Sequence, residues 1–229
     1  MLQLEDVTKK YFHRQQEVYA LRSLKADIAA GEYVAVVGPS GSGKSTLLLT
    51  LGGMLHPSEG KVVLDGKSLY DLDVNELAAY RRQKLGFVFQ TFNLIPYLTA
   101  LENVQVPLFL AGLDEAAQEA KATALLERVE LGDRLDHKPS ELSVGQQQRV
   151  ALARMLANDP PLILADEPTG NLDPETSEHI LAFFDTLHRS GKTIVMVTHD
   201  MRAAARAQRM IRLVAGSSAP AKIEHGVPS

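Results

Sequence analysis

Apolar positions along this chain follow two different rhythms. Residues 33–37, Tyr-Val-Ala-Val-Val, form a short, nearly all-apolar run rich in β-branched residues, as in a strand buried on both faces. Comparable runs at 86–89, 162–165 and 193–197 predict further short strands. Residues 2–28 read as strands with a possible hairpin, and 62–66 ends in Asp65-Gly66, a hairpin turn signal. Between 91 and 156 the spacing becomes helical, predicting helices at 101–112, at 115–129 and along the apolar stretch 150–157. Strand–helix alternation returns from 157 to 214. The expected architecture is a single α/β unit in which segments 1–90 and 157–214 form the core and its β subdomain. A helical subdomain at 91–156 interrupts them. Residues 215–229, rich in Gly, Ser, Ala and Pro, are expected to be a mobile tail.

Composition removes several function classes. At 229 residues the chain can bury one substantial core, and 45% hydrophobic with 23% charged residues is ordinary for a globular protein. A formal net charge of -4 gives no support for a nucleic-acid surface, and no nucleic-acid partner is expected. No run of eighteen apolar residues exists, so no bilayer-spanning helix is expected. Met1 leads into a strand pattern and not into a cationic-apolar leader. Without cysteine there are no disulfides or thiolate metal sites, which fits a reducing cytosol.

The chemistry begins after the run at 33–37. Gly38-Pro39-Ser40-Gly41-Ser42-Gly43-Lys44-Ser45 fits the phosphate-binding pattern G-x-x-x-x-G-K-[ST] at every position. Its glycines let successive amide N–H groups face an anion. The helix expected from Thr46 turns its positive end toward the same point. Lys44 supplies a mobile charge for the outer phosphates, and Ser45 offers a hydroxyl to Mg²⁺. Asp166 and Glu167 close the run at 162–165. Two carboxylates there could be an ordinary solvated strand end. Beside a phosphate loop they acquire roles, because ligands of an open α/β sheet bind outside the carboxyl ends of its strands. Asp166 then suits the metal, and Glu167 suits a general base for an attacking water.

Four further positions are equivocal by themselves. Ser143, ahead of Val144-Gly145-Gln146-Gln147-Gln148-Arg149, reads as a helix N-cap. Gln90 and His199 each follow a strand-like run and could be ordinary polar strand ends. Tyr11 has Phe12 and Tyr19 nearby and could belong to a core.

Taken in order, these motifs closely resemble the ATP-binding-cassette (ABC) ATPases over about residues 2–213. Leu142-Ser143-Val144-Gly145-Gln146 matches the family signature L-S-G-G-Q at four of five positions. The resemblance implies a P-loop NTPase core with an antiparallel β subdomain and a helical signature subdomain, with ATP and Mg²⁺ as ligands. Tyr11 would stack on adenine, and the loop from Gly38 to Thr46 would hold the phosphates. Ser45, Gln90 and Asp166 would serve the metal. Glu167 would be the base, His199 the switch histidine at the γ-phosphate, and Gln90 the loop glutamine between subdomains. Ser143, Gly145 and Gln146 would meet the ATP of a partner copy, with Asp173 coupling the two sites of an ATP-dependent homodimer. Val144 departs from the family glycine, and would be strained if the backbone there needs positive φ.

The resemblance also implies an integral membrane permease as partner and a peripheral position on the cytoplasmic face of the inner membrane. Residues 91–98, Thr-Phe-Asn-Leu-Ile-Pro-Tyr-Leu, either dock that partner or close the helical subdomain's own core. Residues 102–108 and 167–173 resemble the branch serving lipoprotein release, macrolide-type efflux and cell division. The expected function is an ATPase powering an export or mechanotransmission complex. The alternative is a soluble ABC-type ATPase acting on DNA or ribosomes, although those generally carry two cassettes, coiled-coil inserts or basic surfaces.

Overall fold

The computed structural model describes residues 1–13 and 16–219. Two sheets carry it. An antiparallel sheet runs in the order β2 (Gln16–Ile28), β1 (Leu2–His13), β4 (Glu59–Leu64), β5 (Lys67–Ser68). The second sheet has β3 (Tyr33–Val37), β6 (Leu85–Val88), β7 (Leu162–Asp166), β8 (Thr193–Thr198), β9 (Arg209–Val214) and β10 (Ser217–Ala219), ordered β10-β9-β3-β8-β7-β6. All its pairings are parallel except β9 with β10.

The apolar runs explain the layering. On β3, β7 and β8 successive side chains point to opposite faces, and both faces are buried. Tyr33, Ile163, Ala165, Ile194 and Met196 join the core shared with the helical subdomain. Val34, Val36, Leu162, Leu164, Val195 and Val197 join the core shared with the antiparallel sheet and α1 (Lys44–Leu51). A strand buried on both sides needs the uninterrupted apolar run that the sequence shows.

The helical subdomain consists of α3 (Ala100–Leu110), α4 (Glu115–Arg128) and α5 (Val144–Leu156). Thr99 with Glu102 closes a capping box at the start of α3, and Asp114 caps α4. Residues 91–98 are taken up only in part by the helical subdomain's own core. Leu94 packs on the helical core, whereas Tyr97 stays 74% exposed. Arg154 donates to the carbonyls of Phe92 and Asn93 at 2.7 and 2.6 Å, and both of those residues have positive φ. The buried Asn103 amide donates to the carbonyls of Ile95 and Leu98.

Two parts differ from the sequence expectation. A helix, α2 (Val74–Lys84), lies within segment 1–90, where only the core and β subdomain were expected. None of its side chains is fully buried, although Leu77 and Tyr80 pack half-buried against the core; Asp73 and Glu76, which form a capping box, were its clearer sequence signal. The tail expected to be mobile from 215 opens with an ordered hairpin, in which Ala215 and Gly216 at φ 46° and 78° turn β9 into β10. Gly216 N–H donates to the Ser42 carbonyl at 3.2 Å and its carbonyl accepts from Arg22 N–H at 2.7 Å, which ties the turn down. Residues 220–229, also part of that expectation, lie outside the described residues. The Asp65-Gly66 turn between β4 and β5 forms as expected, with both residues at positive φ. Two further helices complete the chain, α6 (Pro174–Arg189) and α7 (Met201–Ala204).

Candidate active site

Parallel strands β3, β6, β7 and β8 end on one edge of their sheet. Because the strands run the same way, Gly38, Gln90, Glu167 and His199 are delivered to that edge from four distant points in the sequence. A cavity of about 580 Å³ opens there. Ser40, Gly41, Gly43, Lys44, Ser45 and Thr46 form one wall, and Gln90, Asp166, Glu167 and His199 form the other.

The phosphate loop has its shape for steric reasons. A Cβ on Gly38 would lie 2.2 Å from the Leu213 carbonyl, and one on Gly43 would lie 2.2 Å from the Ala20 carbonyl. Gly43 also sits at φ 98° as the N-cap of α1, where only glycine is unstrained. The loop is thus clamped between β2 and β9, and its amides and the α1 N-terminus converge on the cavity. Pro39 accepts the Ser42 N–H at 3.2 Å, closing the turn behind the wall. Lys44, nearly buried, donates to the carbonyls of Gly38 and Pro39 at 2.9 and 3.1 Å. The β-phosphate of a nucleotide suits this cradle by charge and by shape.

Across the cavity, Ser45 Oγ donates to Asp166 Oδ1 at 3.3 Å. Burial pushes the Asp166 carboxyl above its ordinary value; the Ser45 bond opposes this, the Glu167 charge adds to it, and Lys44 opposes it. A carboxylate so placed gains from a cation beside it. Glu167 occupies φ 46°, an uncommon backbone for a side chain of its size. Its N–H donates to the Val197 carbonyl at 2.9 Å. His199 Nδ1 donates to Glu167 Oε1 at 2.8 Å, while the Thr198 hydroxyl and the His199 N–H reach Oε2 at 3.2 and 3.3 Å. The carboxylate is therefore oriented by three donors.

Gln90 is held by an exchange with Asn171, donating to its Oδ1 at 3.4 Å and accepting from its Nδ2 at 3.0 Å. A Cβ on Gly170 would lie 2.8 Å from Gln90 Nε2, so the glycine lets the two loops meet. Sequence reading passed over Asn171, Thr198 and the Leu213 and Gly216 backbone. Asn171 stands within the Gly-Asn-Leu-Asp run and was within reach; the backbone contacts leave no mark in residue types.

The remaining expected site residues lie elsewhere. Ser143 caps α5, its Oγ accepting the Gln146 N–H at 3.2 Å while Gln146 Oε1 accepts the Ser143 N–H at 2.9 Å. Ser143, Gly145 and Gln146 border a different cavity, about 460 Å³, which shares no residue with the first. Val144 is the first residue of α5, lacks positive φ and is 47% exposed, so its side chain is accommodated without strain. Gly145 is the constrained position, since a Cβ there would lie 2.7 Å from Thr176 Cγ2. Asp173 caps α6, and the Thr176 hydrogen bonds hold its carboxyl below the usual range. It is not on the cavity wall. Tyr11 is not on that wall either; it lies opposite Val18 on the β1–β2 hairpin, 43% exposed, and Ala20 forms the wall there. That exposure also excludes the core alternative for Tyr11. Among the described residues no group of three His, Asp or Glu side chains is arranged as a metal cage.

Comparison with known proteins agrees with this geometry. A family profile described as "ABC transporter" matches residues 21–170. An uncharacterized ABC transporter ATP-binding protein of Thermotoga maritima is 50% identical over 93% of this chain and 91% of its own length. A macrolide export ATP-binding/permease protein, MacB of Hyphomonas neptunium, is 47% identical over 93% of the chain, which spans only 33% of that protein. Among solved structures, the ATP-binding cassette MJ0796 in a dimeric post-hydrolysis state bound to ADP and Pi superposes with a TM-score of 0.90. It is 47% identical over 95% of this chain and 96% of that one. With a phosphate cradle, a three-donor carboxylate across from it and a separate signature helix, the chain belongs to the ABC transporter ATPases, in the branch that includes the MacB ATP-binding domains and MJ0796.

Proposed function

We propose that the chain hydrolyses ATP in a homodimer that encloses two nucleotides and drives an integral membrane partner. The observation that carries this reading is the separation of the two anion-facing helix ends. The N-termini of α1 and α5 border different cavities, so the signature of one chain can complete the phosphate site only of another.

Within one site, the loop amides and Lys44 would hold the phosphates in place. Ser45 and Asp166 fit Mg²⁺, an ion that takes one or two protein oxygens and fills its shell with phosphate and water; Gln90, across the same cavity, would approach that shell. Bound there, the ion would neutralise charge on the transferring phosphoryl group. Glu167 accepts the proton of the attacking water as the new P–O bond forms and the bond to the bridging oxygen breaks. His199 and Thr198 keep its lone pairs aimed, and His199, on the cavity wall, would contact the γ-phosphate. Tyr11, on the same β1–β2 hairpin as the wall residue Ala20, would stack on adenine. Asp173, at the start of α6, would link the two sites across the dimer.

The partner would be a permease subunit of an inner-membrane export or mechanotransmission complex, moving a lipoprotein, drug or peptide. The chain would then sit peripherally on the cytoplasmic face. The MacB relative, which joins an ATP-binding region to a permease in one protein, supports this reading. Exposed Tyr97, within the 91–98 segment, would offer an apolar contact for such a subunit. Capture of a polytopic membrane protein by the tagged chain with Mg-ATP tests the proposal. ATPase stimulation by DNA or ribosomes, with no membrane protein captured, would favour the alternative.

Two substitutions probe the site directly. Lys44→Ala is expected to weaken nucleotide binding at least about tenfold by calorimetry, since it removes a cation from the cradle. Unchanged affinity would contradict the phosphate-loop assignment. Val144→Gly is expected to cost about 1 kcal/mol or less in melting experiments, as a glycine in a helix. It should leave turnover within about twofold of the parent, given the unstrained backbone at 144; a larger change in turnover would show that the side chain itself matters.

A further inference from the structure

Gln148 is a fully buried amide that the site as described does not use. It lies on α5, and its Nε2 donates to the Pro168 carbonyl at 2.5 Å. Its Oε1 has no partner among the described residues. An apolar side chain of similar length would avoid leaving that oxygen unsatisfied, so the donor function is what the amide adds.

The bond joins two mechanically distinct parts. Positions 145 and 148 are three apart, so they share a face of α5. On that face Gly145 packs against Thr176 of α6, and Gln148 grips the residue immediately after Glu167. Glu167 sits at φ 46°, and its carbonyl accepts the Gly170 N–H at 3.0 Å in a tight turn with Pro168 at its second position. Proline has no N–H, so the backbone of this turn can be tethered at that residue only through its carbonyl. Gln148 supplies the tether. From the other side, β8 holds the same turn through the Glu167 N–H to the Val197 carbonyl.

We propose that Gln148 is a positioning residue which relays engagement of the signature end of α5 to the Glu167 of the same chain. A nucleotide bound at Ser143 and Gly145 would move or stiffen α5, and the Pro168 tether would pass that change to the backbone that aims the carboxylate. Each site would then hydrolyse at a rate set by the occupancy of the other. The relay rests on the two-nucleotide dimer proposed above.

The test compares Gln148→Met and Gln148→Leu with the parent chain. Both variants keep the buried volume and remove the unsatisfied oxygen, but they leave the buried Pro168 carbonyl without its donor, so a modest and similar fall in melting temperature is expected in both. The expected result is a kcat lowered about tenfold with KM for ATP within about twofold, and a Hill coefficient in ATP that falls toward one. In a Glu167→Gln background the same variants should still dimerise with Mg-ATP, because the relay acts after assembly. Unchanged kcat and Hill coefficient would overturn the proposal. So would losses of kcat that track raised KM and more than modestly lowered melting in both variants, or a failure to dimerise when Glu167→Gln alone does. If Glu167→Gln alone stays monomeric, the two-nucleotide reading and the intersite relay fall with it; the kcat-against-KM split then decides only whether Gln148 positions Glu167.

Discussion

Glu167→Gln is expected to lower turnover by about 10²–10⁴-fold, the range for loss of a general base, while ATP remains bound. The amide has almost the shape of the carboxylate, so the phosphate cradle around Lys44 and Ser45 is untouched. What it loses is basicity. In addition, an amide cannot accept at both terminal atoms, whereas Glu167 accepts from His199 at one oxygen and from Thr198 and the His199 N–H at the other. With cleavage stopped, the contacts that hold two chains around ATP persist. Light scattering should show a monomer without nucleotide and a dimer with Mg-ATP, and phosphate release should be near background. Normal turnover would remove Glu167 from its role. A monomer with ATP bound would overturn the two-nucleotide dimer.

Ser143→Arg should abolish hydrolysis without weakening nucleotide binding to the same chain. Ser143 borders none of the phosphate-loop cavity, so nothing in its own site changes. Its Oγ caps α5, and loss of that bond costs about 0.5–2 kcal/mol, which a chain of this size tolerates. A cation replaces it at the positive end of the helix and fills the space that a partner's phosphates would take. Mixing decides the matter. Lys44→Ala chains keep an intact signature and Ser143→Arg chains keep an intact loop, so a mixed dimer holds one complete composite site. Each variant alone should be inactive, and the mixture should regain hydrolysis. Recovery can arise only in trans; no recovery, or full activity in Ser143→Arg alone, would refute the sandwich.

How much of this was legible beforehand varies with the range of the interaction. The phosphate loop was legible because its chemistry lies within eight consecutive residues. The capping of α5 by Ser143 was legible because Ser143 and Gln146 are three residues apart. Runs such as 33–37 announced buried strands because both of their faces end in apolar cores. Helix α2 was missed because it packs only through half-buried side chains such as Leu77 and Tyr80, which leaves a weak apolar period. The hairpin at 215–219 was misjudged for the opposite reason. Its small polar residues look like tail, yet backbone bonds to Ser42 and Arg22 hold its turn in place. Whether Val144 is strained was left open because the φ at that position is invisible in a residue list.

The amino-acid sequence by itself determined the local chemistry here: which peptide groups can wrap an anion, which helices have caps and which segments must be buried. Each depends on residues within one or two turns of one another. The tertiary structure alone decided what those pieces face. Strand register puts Ser45 against Asp166 and His199 against Glu167. The Leu213 carbonyl forbids a side chain at Gly38 from 175 positions away (213 less 38). The signature lies apart from the phosphate loop, so the two line separate cavities. The side-chain pairs join residues too far apart in sequence to be matched, and the approach at Gly38 is to a backbone carbonyl that every residue carries, so residue types leave no record of either.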